Sequence, residues 1–426
     1  MKTKTKVRAS RRTRRVGGRC GAMIAACLCV LAWCTGPASA APSEHFVFAA
    51  GSDVVDNGDT CTTLCQFGRE GAASGQLNAP TSLSASGNQV FVAEALNQRV
   101  SVFDVAAGQF LRAFGKDVGG TDVDACTTAC RAGRISGVGF FVPGASAVAG
   151  SELFITDNQR VAVFDAASGA FKRAFGRDVG GAGINTCTGT SCLQGASGTA
   201  AGQLSGPAGV AVSGDDVFVL EATNNRVSVF NAASGSFEYM FGRNVGGAGI
   251  NFCTSSCQAG LQGGGAGQLS TPVGIALSGD AGKLFVADRD NERVSVFSPG
   301  TGAFIRAFGK DVGGVGTDTC TSTCFAGTAG IGAGQFSSMA GVAVSANELL
   351  VAERGNSRVS AFDTTTGAFL RAVGQDVGGS GVSVCTAICQ AGSFAGPRSL
   401  NVPTGVARVG DRLVVSQFFS TAPFGP

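Results

Sequence analysis

Beyond residue 40 the cysteines fall into six close pairs: Cys61/Cys65, Cys126/Cys130, Cys187/Cys192, Cys253/Cys257, Cys320/Cys324 and Cys385/Cys389. Five are CxxxC and one is CxxxxC. Thiols at this spacing can close a small disulfide ring or hold a soft metal. An even count in an exported chain points to disulfides. A zinc site would need two pairs brought together, with little help from the single histidine, His45. A four-residue separation reaches bridging distance if the loop turns back on itself. Pairing between neighbouring loops is the alternative.

Other chemistry is sparse. With one histidine, acid–base catalysis built on imidazole has no support. An acid recurs at Glu94, Asp157, Glu221, Asp288 and Glu353, each followed by an arginine at Arg99, Arg160, Arg226, Arg293 and Arg358. Repetition at every unit reads as a structural ion pair, not a site. Asp53, Asp56, Asn57 and Asp59 form a small oxygen-rich loop, echoed by Asp117, Asp122 and Asp124. Such oxygens suit calcium, although Asp beside Gly is more often a turn former. Neither a catalytic set, a cofactor site nor a metal centre is assigned.

The elements that carry these residues repeat. The arginines named above recur at intervals of 61, 66, 67 and 65, and Gly115, Gly176, Gly242, Gly309 and Gly374 keep the same intervals. A fixed long period is the mark of a repeat architecture. Each unit holds four short runs rich in Val and Phe, bounded by Gly, Asn and Asp, as in Val90 to Glu94, Arg99 to Asp104 and Phe110 to Phe114. These are strands. Four per unit make a small antiparallel sheet that must stack on its neighbours.

Six unit openings can be counted, but the last unit stops without an FLRAFG run. Phe46 to Gly51 matches the missing run. If it completes the last sheet, the ring closes and no sheet edge is left free. The expectation is an all-β, six-bladed β-propeller of four-stranded antiparallel blades, closed by the N-terminal strand joining the C-terminal blade. All six cysteine pairs then lie in links between outer and inner strands, on one face. They form a crown of loops that each carry Asp-Val-Gly-Gly or a variant. The inner-strand runs are bare, and only Arg408 brings a charge near the channel wall.

Pro207 to Val212, Val217 to Glu221, Asn224 to Phe230 and Gly235 to Gly242 together resemble the NHL repeat. The resemblance recurs over nearly the whole chain beyond the leader, and the cysteine insert lies outside the family pattern. The second unit departs, being two residues shorter between Asp157 and Arg160, and the sixth lacks the Asn-x-Arg step, which puts its third strand in doubt. The family implies a six-bladed propeller used mostly as a binding platform. Similar propellers that act as lyases or hydrolases have histidines, often with a metal, around the channel.

The first 40 residues differ. They hold nine basic residues and no acid, then an apolar run from Ala22 to Trp33 and Ala38-Ser39-Ala40. This reads as a secretory signal peptide over 1–40, with the propeller at 41–426. Paired arginines raise a twin-arginine route without its usual hydrophobic pair. Leu31 to Cys34 resembles a lipoprotein box, but Trp33 is wrong for the small residue such a box needs. The apolar run is shorter than the ~20 residues that span a bilayer. Without the leader, 23 Lys+Arg remain against 29 Asp+Glu, so net charge moves from +3 to −6. Nucleic-acid binding therefore has no support. The reading is a secreted or envelope-located monomer, non-enzymatic, whose crown holds a protein, peptide or glycan. An extracellular hydrolase or lyase at the channel mouth, or a purely structural envelope protein, is the alternative.

Overall fold

Runs such as Gln89–Glu94 are apolar on both faces, and the structure shows why. Val90, Phe91, Val92 and Ala93 are all at most 2% exposed. A blade between two other blades has no solvent face, so its middle strands lose the polar alternation of a half-exposed sheet. The computed structural model describes residues 24–34, 43–55, 58–61, 70–393 and 399–420, with side chains at 70–393 and 399–417.

Among the described residues the strands form six antiparallel sheets. Five are built from consecutive chain. The first runs Pro80–Ser86, Gln89–Glu94, Arg99–Asp104, Gln109–Phe114 and Ala125–Cys126, in that order from inside to outside. The inner strands of the next four are Pro143–Ala149, Pro207–Ser213, Gly274–Leu277 and Met339–Ser345. With Pro403–Val409 of the last sheet, these inner strands touch one another in a closed cycle around a central channel. The fold is an all-β propeller.

Two details differ from the expectation. Blades are five-stranded rather than four-stranded. In the five consecutive sheets the extra strand is two residues long and contains the first cysteine of the insert, as Ala113 pairs with Cys126 and Met240 with Cys253. The insert turns back sharply enough to lie against the outer strand. Closure also differs. Ser43–Val55, which contains the Phe46 to Gly51 run, does not pair with the tail. Ile24–Cys34 lies between them, pairing Val30 with Val414 on one side and with Phe48 on the other. The closing sheet runs Pro403–Val409, Arg412–Ser420, Ile24–Cys34, Ser43–Val55, Gly58–Cys61. The doubtful third strand of the sixth unit is thus supplied by the apolar run read as the leader's core. An apolar run of this length reads alike as a leader core or as a middle strand.

Blades are joined by a ladder of rings. The last Phe of one unit's fourth strand packs on the Phe of the next unit's third strand. Phe114 meets Phe164 at 5.6 Å, Phe175 meets Phe230 at 5.3 Å, Phe241 meets Phe297 at 5.7 Å and Phe308 meets Phe362 at 5.4 Å between centroids. Such pairs add to the area term of each interface. Because strands alternate in direction, the turn between second and third strands and the long insert after the fourth emerge on the same face.

Candidate functional site

Every described insert begins with a turn set by one residue. Asp117, Asp178, Asn244, Asp311 and Asp376 have φ of 61, 60, 63, 62 and 64°. Asp and Asn tolerate this left-handed conformation better than other side-chain-bearing residues. Each side chain also closes its own loop: Asp178 Oδ1 accepts from the Gly183 N–H at 2.7 Å and Asp376 Oδ1 from Gly381 at 2.7 Å. The Val that follows is fully buried at Val118, Val179, Val245, Val312 and Val377. It packs with the half-cystines into a small core beneath the insert, as Val312 does with Cys320, Cys324 and Ala307.

Five cysteine pairs close within themselves. Cys126–Cys130, Cys187–Cys192, Cys253–Cys257, Cys320–Cys324 and Cys385–Cys389 have Cα separations of 5.4, 5.7, 5.7, 5.5 and 5.5 Å. Cys61 ends a strand, but its side chain and all of Cys65 lie outside the described residues. So do the side chains of Cys34, His45, Asp53 and Asp59, and all of Asp56 and Asn57.

The echo of the oxygen-rich loop gathers around an ammonium. Lys116 Nζ lies 3.1, 3.0 and 3.3 Å from carboxylates of Asp117, Asp122 and Asp124. The hydrogen bonds it donates to Asp122 and Asp117 raise the Lys116 pKa.

The recurring acid and arginine form a buried pair in five units. Nitrogen–oxygen distances are 2.8 Å for Arg99–Glu94, 2.8 Å for Arg160–Asp157, 2.7 Å for Arg226–Glu221, 2.9 Å for Arg293–Asp288 and 3.0 Å for Arg358–Glu353. Burial pushes the carboxyls of Asp157, Asp288 and Glu353 upward, and the arginine acts against it. The arginine also does something the sequence does not show. Arg226 donates to the carbonyls of Thr199 and Gln203, in the insert before its strand, and to Gln258, in the insert after it, at 3.0 Å. Arg293 likewise reaches Gln268 at 2.7 Å and Phe325 at 3.0 Å. One guanidinium therefore ties two consecutive crown loops, spending its donor fork on backbone oxygens that would otherwise be buried unpaired. The shortened second unit keeps the arrangement: Arg160 reaches Gly137, Gly139 and Leu193.

The crown's outer surface is apolar in a patterned way. The exposed large hydrophobic residues are Leu96, Val123, Ile135, Val142, Ile184, Leu193, Ile250, Phe252, Leu261, Val315, Phe325, Ile331, Val382 and Ile388. Leu96 sits on a turn between second and third strands, and all the others on inserts. Among the described residues none lies on a turn between first and second or between third and fourth strands.

On the crown side the channel opens into a cavity of about 260 Å³. Its walls are the starts of the inner strands, with Thr81, Ser82, Ser146 and Thr404 supplying hydroxyls. Two charged residues line it, Arg289 and Arg354, with no carboxylate or imidazole among its lining residues. The expectation for Arg408 fails here. It lies near the far end of its inner strand, 3.5 Å from Glu348 of the preceding blade, a carboxylate that Arg371 also holds at 2.7 Å. Arg289 and Arg354 were missed. The available signal was their place directly after the buried acid, where other units have Ala95, Asn158 and Ala222.

The NHL repeat profile matches residues 204–230 and 269–297. No curated protein matches the chain. Among solved structures, the chain is similar to one titled as a nidogen/laminin complex, at 10% identity and TM-score 0.39, covering 81% of this chain and 92% of that one. It is also similar to a structural genomics protein of unknown function from Bacteroides thetaiotaomicron, at 14% identity and TM-score 0.46, covering 92% and 90%.

Proposed function

Taking the chain as a propeller that carries NHL repeats, we propose that it is an exported, non-enzymatic binding module whose crown face docks a protein partner. One observation carries this reading: the exposed large apolar residues gather on the crown. Scattered surface hydrophobics are ordinary, whereas side chains of this size concentrated on one face mark an interaction surface. Val315 is 99% and Ile388 93% exposed on loops that a disulfide and a buried arginine hold rigid. Rigid loops lower the ordering cost of association.

Export is supported by the bridged cysteines and the leader-like composition of the first 40 residues; cleavage after Ala40 would take Ile24–Cys34 out of the closing sheet. No described helix is long and apolar enough to cross a membrane. A monomer with a peptide or glycan ligand remains compatible with the same face. The cavity lining supplies cations but no general base, so it gives a hydrolase or lyase reading no foothold.

The test is to cross-link the native protein in its own envelope fraction, beside a Val315→Asp/Ile388→Asp variant of unchanged melting temperature. The reading expects a discrete cross-linked protein partner that the variant loses. Identical cross-linking by both forms contradicts it.

A further inference from the structure

The position directly after the buried acid, in the turn after the second strand, holds Ala95, Asn158, Ala222, Arg289 and Arg354 in five successive blades. Two adjacent blades thus bring arginine to one side of the mouth, and both arginines line the cavity. Arg289 Nε is 3.0 Å from Asp290 Oδ1, an exposed carboxylate outside the lining. The Arg354 side chain has no hydrogen-bond or ion-pair partner among the described residues, and the residue is exposed where it lines the cavity. Burial lowers its pKa, and the charge of Arg289 lowers it further. The two guanidinia therefore feel each other, and a bound anion would relieve both.

The rest of the wall suits a small anion. Gly144, Gly209 and Gly341 in the wall let neighbouring strands approach closely, since a Cβ there would meet Thr156, Ile275 or Thr404, and no acid among the lining residues repels a negative group. Each sheet ends at its inner strand, so backbone groups on the channel side have no ladder partner there. A guanidinium presents a planar fork that matches the two oxygens of a carboxylate. A cavity of about 260 Å³ admits an organic acid or the end of a chain, not a folded domain.

We propose that this crown-side mouth is a carboxylate-binding site, with Arg354 facing the ligand and Arg289 beside it. The carboxylate belongs either to a free organic acid or to the C-terminus of a peptide. The proposal deepens the reading of the crown as the binding face and rests on it.

Isothermal titration calorimetry of the purified protein tests it, using succinate, N-acetyl-tetra-alanine with a free C-terminus, and the C-terminal amide of that peptide. The site requires one-to-one binding of at least one free acid and none of the amide. Binding of both acids indicates any carboxylate, and binding of the peptide acid alone indicates a chain terminus. Arg354→Gln and Arg289→Gln should each weaken binding at least tenfold, with Arg354→Lys partly restoring it. Arg177→Gln, which alters a half-exposed crown arginine outside the cavity, should leave it unchanged. Failure of both acids to bind, equal binding of the amide, or equal loss in Arg177→Gln overturns the site. A protein that keeps its cross-linked partner yet ignores carboxylates overturns this site alone and leaves the crown reading standing.

Discussion

Arg226 Nε lies 2.7 Å from Glu221 Oε1, and both side chains are fully buried. The carboxylate also accepts from Ser205 N–H at 3.0 Å, Asn224 Nδ2 at 2.6 Å and Ser228 Oγ. A buried charge is tolerable only when its lone pairs and protons are met in this way. The pair is thus the hub of a network that reaches from a tight turn into two bridged loops.

Breaking such a pair leaves an uncompensated buried charge. Arg226→Ala is expected to cost about 3–5 kcal/mol of unfolding free energy. Glu221→Ala should cost a similar amount, and the double variant well under the sum, because the second removal takes away the orphaned charge. Urea denaturation of the three variants measures this. Additive losses would contradict a coupled pair.

Glycine at the turn between third and fourth strands is required by the neighbouring blade. Gly302 has a φ of 64°, and a Cβ there would overlap Phe241, the ring that joins this blade to the one before. Gly300, two residues away, has open space. Gly302→Ala should lower stability by about 1–3 kcal/mol, combining backbone strain and a displaced ring. Gly300→Ala should be close to neutral. Melting temperatures of the pair decide it.

One carboxylate gives acid sensitivity a defined window. Arg173, with Lys172 assisting, holds the Glu152 carboxyl down to about 2 against an ordinary 4.5. A folded pKa below the unfolded one adds stability above pH 4.5, and that part is lost as pH falls toward about 2. Glu152→Gln should therefore flatten the fall in denaturation midpoint between pH 5 and pH 2.5, on the order of that window. An unchanged slope would contradict the assignment.

Closure of the ring gives a fourth expectation. Cutting after Ala40 removes Ile24–Cys34 and uncovers the edge of Arg412–Ser420. Free edges exchange quickly and invite association. The chain 41–426 should show faster amide exchange over 412–417 than the full chain. Equal protection would mean that Ser43–Val55 moves onto the tail strand, the pairing expected from the sequence.

Much of this fold is legible because its repeat is long and regular. Strands, acid–arginine pairs and cysteine pairs recur with the same spacing, so each unit corroborates the others. The fifth strand was not legible: two residues such as Ala125–Cys126 carry no periodicity, and their pairing depends on how the insert folds back. The closing order was hidden because an apolar run reads alike as a leader core or a buried strand. Arg408 does stand on an inner strand, but such a strand has two ends, and only register shows that this one lies away from the mouth. The reach of Arg226 to Gln258 spans 32 residues, a distance that local patterns do not encode.

The central claim is that one arginine per unit fastens the crown loops on both sides of it. Hydrogen exchange with peptide-level readout, comparing the native protein with Arg226→Lys, tests this directly, since lysine keeps the charge but loses the fork. The account predicts faster exchange in both flanking inserts, 198–205 and 243–261, with strands of distant blades unchanged. Exchange altered only in the turn between Glu221 and Arg226 would contradict it.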